Sequence, residues 1–192
     1  MKINYLTSND LKFKIAQQFF QNLPEFELVQ HSFSVPEIQD SSCEVIAKDS
    51  AIYAAQQLGE PCVVMDAGFF IEALGGFPGP FVKYINEWLV EEKYLSLLND
   101  SDSRTAYFQD ALAIGLPDGS VEVFSYKTFG TIAKPGQYEA SKWPANSIFI
   151  PEGKDKPLGL MTEDEQANFW HNENKTWNML VEFLSKQTTA SN

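Results

Sequence analysis

From Lys2 to Thr7 apolar and polar residues alternate, with Ile3, Tyr5 and Thr7 on one side, and this period of two predicts a first strand. The period then lengthens. Leu11, Ile15, Ala16, Phe19 and Phe20 share one face of a helix expected over 9–22, capped by Ser8 or Asn9 and ended by Pro24. A second strand is expected near 26–33, then a polar loop over 36–42 and a helix over 43–58 that stops at Gly59. Residues 61–66 are a short apolar run closing on Asp66, which reads as a buried strand, and extended chain resumes over 69–73. Helices follow over 81–89 and 91–98, with Phe81, Ile85, Trp88 and Leu89 as the inward stripe of the first. Strands over 107–116 and 121–129 flank Pro117-Asp118-Gly119, a hairpin signal. A loop over 134–146, a brief strand over 147–150, a helix opened by Thr162 and a last helix over 173–186 complete the chain. The pattern predicts an α/β fold, a mixed sheet flanked by helices, as one domain over 1–187 with a frayed tail over 188–192.

Composition narrows the functional classes. The 192 residues suffice for a substantial core, and a hydrophobic fraction of 44% with 15 Phe fits an ordered protein. A net charge of −12, from 26 acidic and 14 basic side chains, argues against nucleic acid as a partner. No apolar run reaches the roughly 18 residues of a membrane span, and the N-terminus turns polar at once, so neither a membrane nor a signal peptide is expected. Cys43 and Cys62 cannot make a disulfide framework or a four-ligand zinc site, and a cytoplasmic setting is the default.

Two segments carry candidate chemistry. Asp66-Ala67-Gly68 places an acid at the end of a strand, where ligands of α/β proteins tend to bind. The turn Gly75-Gly76-Phe77-Pro78-Gly79-Pro80 permits close approach of backbone to a ligand, and Lys83 lies in the helix after it. The other segment, Thr7-Ser8-Asn9-Asp10-Leu11-Lys12, joins strand to helix, so its hydroxyls, helix N-terminus and Lys12 suit a phosphate. The plain alternatives are an ordinary turn and an ordinary N-cap.

Taken in order, Thr7-x-Asn9-x-x-Lys12, Pro36-Glu37, Asp66 and Ala73-Leu74-Gly75-Gly76-Phe77-Pro78-Gly79-Pro80-Phe81-Val82-Lys83 resemble the inosine triphosphate pyrophosphatase (Ham1-like) family. The strands around Asp110, Gly130-x-Ile132 and Phe149-x-Pro151-x-Gly153 continue the match over about 2–171. The resemblance implies an elongated mixed sheet in two lobes with a central cleft, and a homodimer. It also implies Mg²⁺-dependent hydrolysis of non-standard purine nucleoside triphosphates to monophosphate and pyrophosphate. On this resemblance Asp66 and Lys12 are catalytic, and Asp66 with Glu37 binds metal. Thr7, Asn9, Lys12, Gly68, Trp143, Phe149 and His171 contact the nucleotide.

The sequence also departs from that family. Met65 stands where a second acid is usual, Ala67 where a hydroxyl is, and Ser50 where a lysine is, with Lys48 nearby. Trp143-Pro144-Ala145-Asn146 replaces the usual aromatic loop, and Gln166 and Asn172 replace cations. These losses frame an alternative: a nucleotide-binding or interaction protein with lost or altered activity.

Overall fold

In the computed structural model, which describes residues 1–99 and 101–190, the change of period at residue 7 is where the first strand hands over to the first helix. Strand β1 (Lys2–Leu6) leads to helix α1 (Asp10–Phe20), strand β2 (Glu27–His31), helix α2 (Cys43–Leu58) and the long strand β3 (Cys62–Ile71). The glycine turn contains the two-residue strand β4 (Pro78–Gly79), followed by the short helices α3 (Val82–Trp88) and α4 (Glu91–Ser96). The hairpin strands are β5 (Thr105–Gly115) and β6 (Val121–Ile132). After them come α5 (Pro144–Ile148), β7 (Phe149–Pro151), α6 (Glu163–Glu173) and α7 (Thr176–Ala190).

The sheet is mixed, as the pattern predicts. Its strand order is β2-β1-β3-β5-β6-β7 with β4 against β3. β1 lies parallel to both β2 and β3, whereas β3–β4 and β6–β7 are antiparallel. The chain folds into two compact units. One holds Met1–Asp66, Asp110–Tyr126 and the chain from Trp170 onward; the other holds Ala67–Gln109 and Lys127–Phe169.

In the first unit, Ile3, Tyr5, Phe20, Val63, Leu112 and Trp177 form one buried cluster, with Trp177 edge-on to Tyr5 at 5.0 Å. On the other face, α2 brings Ala47, Ala51, Ala54 and Ala55, all fully buried, against the sheet. The approach there is close: a Cβ on Gly115 would lie 2.3 Å from the Ala51 carbonyl oxygen. The buried Asn4 amide is satisfied three ways, donating to Glu60 and the Pro61 carbonyl and meeting the His31 ring at 2.9 Å. The second unit has an aromatic core in which Phe149 packs edge-on against Phe69 and Phe108.

Four expectations change. The runs 61–66 and 69–73 form one strand to Ile71, because Ala67 and Gly68 remain extended. Pro144 starts helix α5 inside the expected loop, a natural first-turn position for proline, and the brief strand shifts to Phe149. Phe81 and Trp88 do not face inward: they are 39% and 73% exposed, and Ile85 and Leu89 take the half-buried side. The last helix starts at Thr176, where Asn174 accepts from the Thr176 backbone and hydroxyl. Of the frayed tail expected over 188–192, residues 191 and 192 lie outside the described residues, and α7 runs to Ala190.

Candidate functional site

The sequence supplies the N-terminus of α1 with its own cap. Asn9 Oδ1 accepts from the Lys12 backbone at 3.1 Å, and Thr7 Oγ1 accepts from the Asn9 backbone at 3.2 Å. The plain N-cap expected as an alternative is therefore real, and it directs Lys12 from a fixed first turn. Lys12 is half-buried. Its charge acts on Asp110, a residue of β5 only 8% exposed.

Asp110 was not among the site residues expected from sequence, where it marked a strand. Burial, the largest influence, pushes its carboxyl up to about 6; Lys12 opposes that shift and the nearby Asp66 charge reinforces it. Side chains alternate along a strand, so Asp110 projects on the same face as Leu112 and Ile114, toward the Trp177 cluster. Tyr5 lies within the influence of Asp110, its phenol pushed up first by burial and then by that charge, against a hydrogen bond with Thr7.

Alternation also separates Met65 from Asp66. Met65 packs with Val63 on the Trp177 cluster, whereas Val64 packs on the α2 side with Ala54 and Ala55. Asp66 therefore follows Val64 toward α2. There it meets Cys43, the fully buried first residue of α2, whose thiol is pushed up by burial, by the Asp66 charge and by a side-chain hydrogen bond to Asp66. Asp66 thus raises two acidic neighbours, Cys43 and Asp110. Negative charge gathers at this place.

Other expected residues fall as follows. His171 is in the first unit, its ring 4.4 Å from Phe19 of α1, and its buried Nδ1 has no hydrogen-bond partner among the described residues. Glu37 is exposed on the segment between β2 and α2. Ser50 is buried on α2, whereas Lys48 is exposed. Gly68, Trp143 and Phe149 belong to the second unit. Trp143 is 45% exposed with the Lys142 ammonium 5.6 Å from its ring; Phe149 is fully buried. The glycine turn also lies in the second unit, where Gly75, Gly76 and Gly79 adopt positive φ. Among the described residues no three His, Cys, Asp or Glu side chains gather as a metal site.

The mixed sheet flanked by helices defines an α/β protein, in which Asp66 and Asp110 stand at interior positions of β3 and β5 rather than at the strand end expected for Asp66. The sequence profile of the Ham1 family matches residues 3–182, and the chain belongs to that family. A dITP/XTP pyrophosphatase of Methanopyrus kandleri is 34% identical over 171 residues, covering 89% of this chain and 90% of that one. One from Thermococcus kodakarensis is 33% identical over 171 residues, covering 89% and 91%. The Ham1 protein of Staphylococcus aureus superposes with a TM-score of 0.78 at 24% identity, covering 97% and 100%. A HAM1 protein of Coxiella burnetii gives 0.79 at 23%, covering 97% and 99%, so the fold is theirs also.

Proposed function

We propose that this chain is a nucleoside triphosphate pyrophosphatase that cleaves non-standard purine nucleotides, of the dITP, ITP and XTP kind, between the α and β phosphates. Membership of the Ham1 family and the names of relatives at 33–34% identity support the reaction. Within the structure the reading is supported by Lys12 on a capped helix start and by Asp66, both in one unit and both close enough to act on the buried Asp110.

In this account Lys12, Thr7, Asn9 and the first amides of α1 hold phosphate oxygens, Lys12 through a charge-assisted contact. Asp66 orients the attacking water and takes its proton. Cys43, kept as a thiol by burial and by Asp66, keeps that carboxylate in place. His171, backed by Phe19, contacts the nucleotide. In the second unit Trp143 offers an exposed ring of the kind that stacks on a base, whereas Phe149 is buried in the core.

The chemistry of the donors fits Mg²⁺, which takes hard oxygen ligands and keeps waters and substrate phosphates among them. On the family resemblance Asp66 and Glu37 would hold the ion through hard carboxylate oxygens. Bound there, it would neutralise triphosphate charge. The protein works as a homodimer in a cytoplasmic setting. The alternative of a member without activity rests on Met65 and the missing cations, yet Met65 fills the core face and leaves Asp66 in its place. The two relatives named above are pyrophosphatases by name, which favours the active reading.

The test is a substrate panel with Mg²⁺, reading kcat/KM for pyrophosphate release from dITP, ITP, XTP, ATP and GTP. Preference for the first three by about tenfold or more is expected, since a site that hydrogen-bonds the base rejects one without the matching group. Equal rates for all five would refute the base preference, and no release from folded protein would refute the activity.

A further inference from the structure

Within the second unit, the ring of Trp143 and its backbone are treated differently. The indole is 45% exposed, so core packing does not hold it. The backbone is held on both sides. Ser141 Oγ accepts from the Trp143 amide at 3.1 Å, and the Ser147 hydroxyl and amide donate to the Trp143 carbonyl at 3.3 and 3.1 Å. The two serine hydroxyls meet each other at 2.7 Å. This turn is tied in its turn to α3 and α4. Glu91 Oε1, at the start of α4, accepts from the Ser141 amide at 2.9 Å. Asn86 Oδ1, on α3, accepts from the Ala145 amide at 3.2 Å and from the hydroxyl of the buried Tyr94 at 3.1 Å. Glu91 is the unusual member, a carboxylate only 2% exposed, since glutamate is seldom buried and costs free energy there unless a donor meets it. A leucine of similar size would cost less to bury, yet would leave the Ser141 amide without its acceptor.

We propose that Glu91 is a positioning residue for base recognition: through Ser141 it fixes the Trp143 ring in its exposed place before a nucleotide arrives. The proposal rests on Trp143 as the ring that stacks on the base, the role given to it above. A ring already ordered does not lose that freedom on binding, so the nucleotide is held more tightly while the reacting phosphates are untouched. Glu91 therefore acts on KM rather than on kcat. An acid with a structural role alone would lower stability and leave KM where it was.

The test compares wild type, Glu91→Ala, Glu91→Gln, Ser141→Ala, Trp143→Ala and Glu91→Ala/Trp143→Ala on ITP with Mg²⁺, each checked for folding by circular dichroism. Fluorescence anisotropy without nucleotide follows the indole itself, taken as the difference from Trp143→Phe because the chain has 4 Trp. Glu91→Ala is expected to raise KM about tenfold with kcat within about threefold, and to lower the anisotropy of Trp143. Glu91→Gln, whose amide oxygen still accepts from Ser141, recovers most of the loss. Ser141→Ala, at an exposed position, moves both readings the same way and carries the test if Glu91→Ala does not fold. Trp143→Ala raises KM by itself, and adding Glu91→Ala to it changes nothing further. Unchanged KM and anisotropy in either folded single variant overturn the proposal, as does a full Glu91→Ala effect in the absence of Trp143. Lower anisotropy with KM unchanged confines Glu91 to the structure of the turn and overturns it too. If wild type releases no pyrophosphate, the calorimetric Kd for ITP replaces KM in the same comparison, so the activity can fail while this proposal stands. No binding of ITP at all overturns both.

Discussion

Asp110 is the residue where stability and function pull apart. Its carboxyl titrates near 3.8 in an unfolded chain and near 6 in the fold, because burial penalises its charge more than Lys12 relieves it. Between those values the folded chain holds a proton that the unfolded chain has lost. Stability contributed by this group is therefore complete below about pH 4 and falls as pH rises through 6. By pH 7.5 the deficit is on the order of 3 kcal/mol. Asp110→Asn removes that charge, so urea melts at pH 7.5 are expected to show a more stable variant, by up to about 3 kcal/mol, with little gain at pH 4. Equal stability of both proteins at pH 7.5 would contradict the account. Its signal in the sequence was slight: Gln109-Asp110-Ala111 interrupts an otherwise apolar strand with an acid at an inward position. Lys12 was legible because it stands at a helix start, whereas Asp66, read as a strand end, lies inside β3, which runs on to Ile71.

Elements were read best where local chemistry decides them. α2 begins and ends where its sequence predicts, with Ser42 Oγ accepting from Val45 and Gly59 closing at φ +66°. The short helix α3 was misread because seven residues are too few for periodicity to separate an inward stripe from an outward one. Packing closes the question where it is tightest. Gly115 lets β5 and α2 approach, and a methyl there would sit 2.3 Å from the Ala51 carbonyl oxygen, backbone that cannot swing aside. Gly115→Ala is expected to lower stability by about 1–3 kcal/mol or more in urea melts. An unchanged midpoint would mean that the helix shifts freely, contrary to a fully buried alanine face.

At the scale of the whole molecule, the mixed sheet and the Ham1 family were both legible in the sequence, the family chiefly in Ala73–Lys83. The division into two compact units was not, since β3, β5, β6 and α6 each run from one to the other without a linker or change of composition. That division also separates Asp66 from the glycine turn that follows it in sequence. Met65 shows what a sequence comparison by itself misses: it marks a lost acid, yet the strand sends it to the core and leaves its neighbour Asp66 beside Cys43. The central claim is thus that Asp66 carries the proton transfer in a working pyrophosphatase. The direct measurement is pyrophosphate and monophosphate formed from ITP with Mg²⁺ by wild type and by Asp66→Asn. Wild type should form the two in equal amounts, and Asp66→Asn should be about 10²–10⁴-fold slower while still folded. Undiminished release by Asp66→Asn, or orthophosphate in place of pyrophosphate, would contradict it.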